Sequence, residues 1–456
     1  MIERWNRDQV LALAPDASSQ KAAQGVSSPG KWSGIGSAAD SVWGECKGSG
    51  SKPYRACVDL SELAYRCSCP SRKFPCKHAL GLLLLWSADG VPAAGAPADW
   101  VAEWLDQRRE RAAKATGLAA EAAEATRAGG AGAGPADTRR AEQREQRVAA
   151  GLSDLERWLA DQIRQGIAGS RRHDYWDDLA KRLVDAQAPA VAGTLSRLSS
   201  VLNGEDWPAR LLSEYALLHL LCVAHRRLPA AVAASGSAVV DPGTPAGADG
   251  TGLVRRVRER VGFPVTKEEV LAGETVRDLW DVLGRRDEEQ DRLIARRVWL
   301  RGRRTGRAAL VLSFAMTGQA LDASLVTGTT LDADLAFYPG SAPLRALVAV
   351  HHGAVSTGFP TASTVEQALD EVAAALAGDP WLDSWPVVLG PVTPAGRGPW
   401  HLAGSSGGIP LHPSTGTPWR LIAVSGGRPL TVAAEWTPRG LRPLITWDEE
   451  GQVIVL

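Results

Sequence analysis

Residues 67–78, CSCPSRKFPCKH, hold four side chains able to bind a soft or borderline cation: Cys67, Cys69, Cys76 and His78. A chain with only 6 Cys and 8 His rarely gathers C-x-C and C-x-H so closely by chance. In an extended strand Cys67 and Cys69 project from one face and Ser68 from the other. Pro75 suits the first turn of a helix, which Ala79 to Trp86 (ALGLLLLW) continues as an apolar run. One ligand pair therefore comes from a strand and the other from a helix start, whose positive end favours a Cys76 thiolate. Cys₃His is a structural zinc set, and four protein ligands leave no position for a catalytic water. The competing readings are small buried cysteines, or a disulfide between two of them.

The spacing C-x-C-x(6)-C-x-H resembles the SWIM-type zinc finger. The flanks look like the bacterial proteins of that family: Trp43, Gly44, the GSG at 48–50, Pro53, Tyr54, Val58 and Asp59 before the motif, and SCPSRKFPCKHALGLLLL through it. The resemblance spans about residues 32–86. It implies zinc on Cys67, Cys69, Cys76 and His78, a strand-strand-helix fold around the ion, and a role in DNA binding or protein–protein interaction. It also implies a protein partner, since bacterial proteins of this kind are often encoded beside MoxR-type AAA+ ATPases and von Willebrand A-domain proteins.

The remaining organisation follows from breaks in pattern over 456 residues. Residues 1–30 show little apolar periodicity and read as a loosely ordered lead-in. Residues 31–90 form the finger module: SVWGECKG and YRACVDL are extended runs around the turn GSGSKP, with Tyr54, Ala56, Val58 and Leu60 on one face. Cys46 and Cys57 read as small strand residues there. Residues 98–137 start as a helix capped by Asp99, with a stripe of Trp100, Val101, Trp104 and Leu105, and end in the flexible RAGGAGAGPAD. Residues 138–229 read as a helical domain: Val148, Leu152, Leu155, Leu159 and Ile163, then Trp176, Leu179 and Leu183, then Trp207 to Leu228 recur at helical spacing. After a break at 230–251, residues 252–456 read as a mixed α/β domain. Val298 to Met316, Leu344 to Val350, Trp419 to Val424 and Val453 to Leu456 are its strands, and Val365 to Leu376 its helix. The fold class is thus multidomain α+β, with a small ββα zinc module, a central helical domain and a C-terminal mixed α/β domain.

Charge bounds the partners. With 51 basic and 51 acidic residues no global field draws the chain to nucleic acid or membrane. The start, MIERWNRDQV, lacks an apolar signal core, and Ala79 to Trp86 falls far short of the ~20 residues a membrane helix needs. Zinc-spaced cysteines point to a reducing cytoplasm. Locally, Lys31, Lys47, Lys52, Arg55, Arg66, Arg72, Lys73 and Lys77 outnumber Asp40, Glu45, Asp59 and Glu62. Arg72, Lys73 and Lys77 lie on the ligand loop, where a rigid metal core would present them to phosphates or to a partner.

Other constellations fail on chemistry. GVSSPGKW at 25–32 has Trp32 where a P-loop needs Ser or Thr, and GSSGG at 404–408 cannot start the helix a nucleophile elbow at Ser406 requires. His219, Cys222 and His225 share one helix stripe without further ligands, His351 and His352 are ordinary strand-end residues, and RRVWLRGRRTGR at 296–307 reads as a solvated hairpin flank. The expected function is a zinc-stabilised adaptor for protein–protein interaction with no catalysis at the metal. The alternatives are nucleic-acid binding through the basic loop, or an enzyme of unknown type in residues 252–456.

Overall fold

The computed structural model describes residues 4–48, 52–61, 63–71, 73, 75–110, 135–171, 175–234, 251–290, 293–316, 321–322, 324–355 and 359–456. Strands β1 (Trp32–Ser37), β2 (Ser41–Cys46), β3 (Tyr54–Asp59) and β4 (Ala64–Cys67) form an antiparallel sheet in sequence order. Alternation along the strands sets what each face covers. Ala56, Val58 and Leu60 pack with α3 (Lys77–Ser87), while Trp43 and Cys57 pack with Val101 and Leu105 of α4 (residues 99–110). The ββα module is therefore a four-stranded sheet with a helix on each side.

Residues His78 to Trp86 of α3 are all buried, so this helix needs cover on the side away from the sheet. Residues 4–30 supply it, and for them the expectation of a loosely ordered lead-in is corrected. Helix α1 (Arg7–Ala12) is closed by a capping box between Asn6 and Gln9, and α2 (Ala17–Gln24) is capped by Asp16. Trp5, Val10, Leu13 and Ala23 join the core around α3. Gly81 permits this approach: a Cβ there would lie 2.6 Å from Val26 Cγ2. Helices of 6 and 8 residues carry too few apolar positions to show a period, which is why the pattern read as loose.

The helical domain comprises α5 (Pro135–Gln165), α6 (Asp177–Asp185), α7 (Pro189–Arg197) and α8 (Trp207–Ala234), and α9 (Thr251–Val261) packs against them. Leu152, Leu155, Leu159, Trp176, Leu183, Leu211 and Tyr215 fill the core. Trp176 Nε1 donates to Tyr215 Oη at 3.1 Å, which satisfies the indole while burying it. Val257 and Val261 are buried in this core, so α9 belongs with the bundle although its sequence follows the break assigned to a linker. Residues 127–134 and 235–250 of the two expected linkers lie outside the described residues.

The C-terminal half follows α10 (Lys267–Leu271). Strands β5 (Thr275–Gln290), β6 (Leu293–Gly302), β7 (Ala308–Met316), β8 (Thr330–Phe337) and β9 (Arg345–Val355) close a barrel in the order β5-β6-β7-β9-β8, filled by Trp280, Val282, Val298, Leu300 and Leu335. Helix α11 (Val365–Gly378) then leads to a sheet ordered β12-β11-β10-β13-β14-β15, built from β10 (Trp385–Ala395), β11 (His401–Gly404), β12 (Gly407–Pro410), β13 (Leu430–Thr437), β14 (Gly440–Trp447) and β15 (Val453–Val455).

Two local expectations are corrected here. Trp419 to Val424 is not a strand but helix α12 (Trp419–Ser425): Leu421 and Ser425, four apart, are buried, and Gly426 ends the helix at φ 53°. The 296–307 segment is a hairpin but not a solvated flank. Arg296 is buried and bidentate on Asp287 at 2.8 and 2.7 Å, while Arg303 and Arg304 bind Asp281 and Asp278.

His412, buried beside β14, makes acid stability predictable. Arg442 Nη2 lies 3.0 Å from its Nε2 and Ser414 Oγ 2.7 Å from its Nδ1. Arginine only donates, so Nε2 must accept and the ring must be neutral. Burial first, then Arg442 and neighbouring arginines, push its pKa down to about 4. A depressed histidine contributes stability that is full above its ordinary value of about 6.5 and lost as pH falls through about 4. His412→Gln should therefore flatten that part of the stability-against-pH curve in denaturant titrations. An unaltered slope between pH 6.5 and 4 would contradict the assignment.

Candidate metal centre

The β3–β4 hairpin positions the first ligand pair. Register places Ala56 opposite Cys67, and Ser68 then locks the following turn: its N–H donates to Arg55 O at 3.0 Å and its Oγ accepts from Arg55 N–H at 2.9 Å. Ser68 is thus used on β3, and Cys67 and Cys69 are free to face α3. Cys76 is the N-cap of α3, extended at φ −75° and ψ 165°, and His78 lies in the first turn. Pro75 consequently precedes the cap instead of occupying the first helical turn. Tyr54 stacks on His78 with ring centroids 4.8 Å apart and fixes the imidazole from the third strand.

The donor atoms of Cys67, Cys69, Cys76 and His78 all lie within 4.8 Å of one another, and Cys67 Sγ is 3.7 Å from His78 Nδ1. With Zn–S bonds of about 2.3 Å, a tetrahedral ion needs sulfur atoms roughly 3.8 Å apart, so the cluster has the size such an ion requires. Cys76 and His78 are buried while Cys67 and Cys69 are half-buried. The Cys67 thiol beside it holds Cys76 down at about 4 against burial, with help from His78 and the Ala79 amide at the helix start. In return Cys67 is driven up, and burial raises Cys69. Four thiol and imidazole donors crowded at a helix N-terminus match the chemistry of a structural zinc set. Among the described residues no other group of three or more His, Cys, Asp or Glu gathers in this way.

Cys46 and Cys57 stay outside the cluster as buried strand residues, and burial pushes the Cys57 thiol up to about 12. All six cysteines are free thiols. Of the basic ligand-loop residues, Arg72 lies outside the described residues. Lys73 binds Asp16 at 2.6 Å, and that contact holds the Asp16 carboxyl well below its usual range. Lys73, Lys77 and Lys47 line a groove of about 540 Å³ beside Cys69 and His78. Three thiolates around a divalent cation would carry net negative charge, and Lys47 and Lys77 supply positive charge along the same groove, Lys73 being paired with Asp16. Charge counting over 31–86 could not see Asp16, which arrives from α2.

The rejected constellations behave as ordinary structure. Lys31 of the near P-loop donates to Gly25 O at 2.6 Å, and Ser406 is exposed in the β11–β12 turn. His219 is exposed while Cys222 is buried on α8, and His352 pairs with Asp334 at 3.1 Å. Among the described residues no helix is long and apolar enough to cross a membrane.

Comparison with known proteins adds two findings. Residues 56–86 match the SWIM zinc finger, and residues 143–240 match the SWIM-associated four-helix bundle domain, the segment that contains most of α5 and all of α6 to α8. No curated protein and no solved structure matches the chain.

Proposed function

We propose that this chain, a SWIM zinc finger protein carrying the associated four-helix bundle, is a cytoplasmic adaptor for protein–protein interaction in which zinc is structural. The observation that carries the reading is the closed donor set: three sulfurs and one imidazole nitrogen mutually within 4.8 Å, at the base of a buried helix. An ion held by Cys67, Cys69, Cys76 and His78 would have its coordination filled by protein, so it would join β4 to α3 and present no site for a reacting water. Thiolate ligands need a reducing compartment, which supports the cytoplasm. The partner is a protein, for which a MoxR-type AAA+ ATPase or a von Willebrand A-domain protein is the first choice to test. Nucleic-acid binding ranks lower because Lys73 is already neutralised by Asp16.

Affinity purification of the tagged full chain, with and without nuclease, tests the reading. A specific protein should be retained after nuclease treatment, and elemental analysis of the same material should find about one zinc per chain. Recovery of no specific protein, or a capture that nuclease abolishes and that Lys73→Ala with Lys77→Ala weakens, would reject it in favour of nucleic acid.

A further inference from the structure

A cleft of about 810 Å³ lies between the helical bundle and the C-terminal half, lined by six arginines against four carboxylates. Small-ligand sites have this size and favour such boundaries. On one side the charges are matched internally: Arg256 binds Asp379 at 2.6 Å and Glu259 at 2.8 Å, and Arg345 reaches Glu259 at 3.7 Å. On the other side the pairing is thinner, and the one ion pair of Arg210 is with a carboxylate outside the cleft lining. Among the described residues, the Arg197 side chain donates to Thr194 Oγ1 at 3.2 Å, Arg210 meets Asp206 at 3.7 Å, and Arg260 donates to the Trp381 carbonyl while its buried Nε has no hydrogen-bond partner. Glu214 lines the same cleft as Arg197, Arg210 and Arg260; burial raises its carboxyl, Arg210, Arg197 and Arg260 oppose that, and Asp383 adds to it.

Guanidinium groups are the usual partners of phosphoryl oxygens, which they meet with paired donors. Leucines 198, 217 and 221 form an apolar part of the wall beside these charges. We propose that Arg197, Arg210 and Arg260 form a binding site for a small phosphoryl-bearing anion, with Glu214 as the internal carboxylate that the anion competes against. The site is independent of the zinc finger, since none of its residues belongs to the first ninety. Its ligand would contact α7, α8 and α9 at the seam with the C-terminal half and so report on how the bundle is seated.

Calorimetric titration of the full chain with inorganic pyrophosphate at low ionic strength tests the proposal. Saturable one-to-one binding is expected. The double substitution Arg197→Glu, Arg210→Glu should weaken it by about tenfold or more, the scale of a lost charge-assisted hydrogen bond. Glu214→Gln, which changes charge and little else, should tighten it severalfold. Absence of saturable binding to the unaltered chain, or Glu214→Gln leaving affinity unchanged or weaker, overturns the assignment even if the double variant fails to fold.

Discussion

Stripping the metal with a strong chelator should unfold the amino-terminal module, and Cys69→Ser should lower the stability of the whole chain by several kcal/mol. Apparent binding free energies of structural zinc in small fingers are about 10–16 kcal/mol, most of which appears as folding free energy. Here the ion would hold the β4 turn to the N-cap of α3. Losing it leaves Cys76 and His78 as buried polar groups without a partner of comparable strength. The effect should spread. Helix α3 shares its core with α1, α2 and Val326, Gln9 Nε2 donates to Thr327 O at 3.2 Å, and Asn6 Nδ2 donates to Val453 O at 2.9 Å. Amide exchange should therefore accelerate first in Leu80 to Leu84 and then at the β15 edge. A melting curve indifferent to chelation and to Cys69→Ser would remove the basis for a structural ion.

Trp381→Ala should cost about 3–5 kcal/mol and loosen the bundle from the C-terminal half. Trp381 follows α11 yet is buried in the core of the helical bundle, where its Nε1 donates to Leu217 O at 2.9 Å. Removing the ring opens a cavity at that seam and leaves the Leu217 carbonyl without this donor. The neighbouring pairs of Arg256 with Asp379 and of Arg260 with the Trp381 backbone would lose their packing support. Denaturant unfolding should shift its midpoint strongly, with limited proteolysis separating the bundle from residues beyond it. An unchanged midpoint would show that the two parts are held together elsewhere.

The sequence showed the metal centre most clearly because its signal is local. Four ligands within twelve residues need only a hairpin end and a helix start to converge, and both are written in the alternation before Cys67 and the apolar run after His78. Helix α11 and the bundle stripes were legible for the same reason: a face turned to the core repeats at helical spacing over several turns. Short or doubly covered elements were not. Trp419 to Ser425 spans too few residues for a period of two to be told from one of 3.6, and α1 and α2 reveal their purpose only against α3.

What the sequence alone determined is the donor set, the absence of a global charge and the alternation of helical and extended segments, all properties of neighbours along the chain. Only the tertiary structure decided that Asp16 neutralises Lys73, that residues 4–30 tie the finger to the C-terminal half, and that Arg197, Arg210, Arg260 and Glu214 share one cleft with Trp381. Arg210 and Glu214 are neighbours on one helix, but Asp16 and Lys73, or Trp381 and the bundle, are separated by tens to hundreds of residues. Electrostatics and packing act through space over a few ångströms, so no pattern of spacing encodes them until the chain has folded.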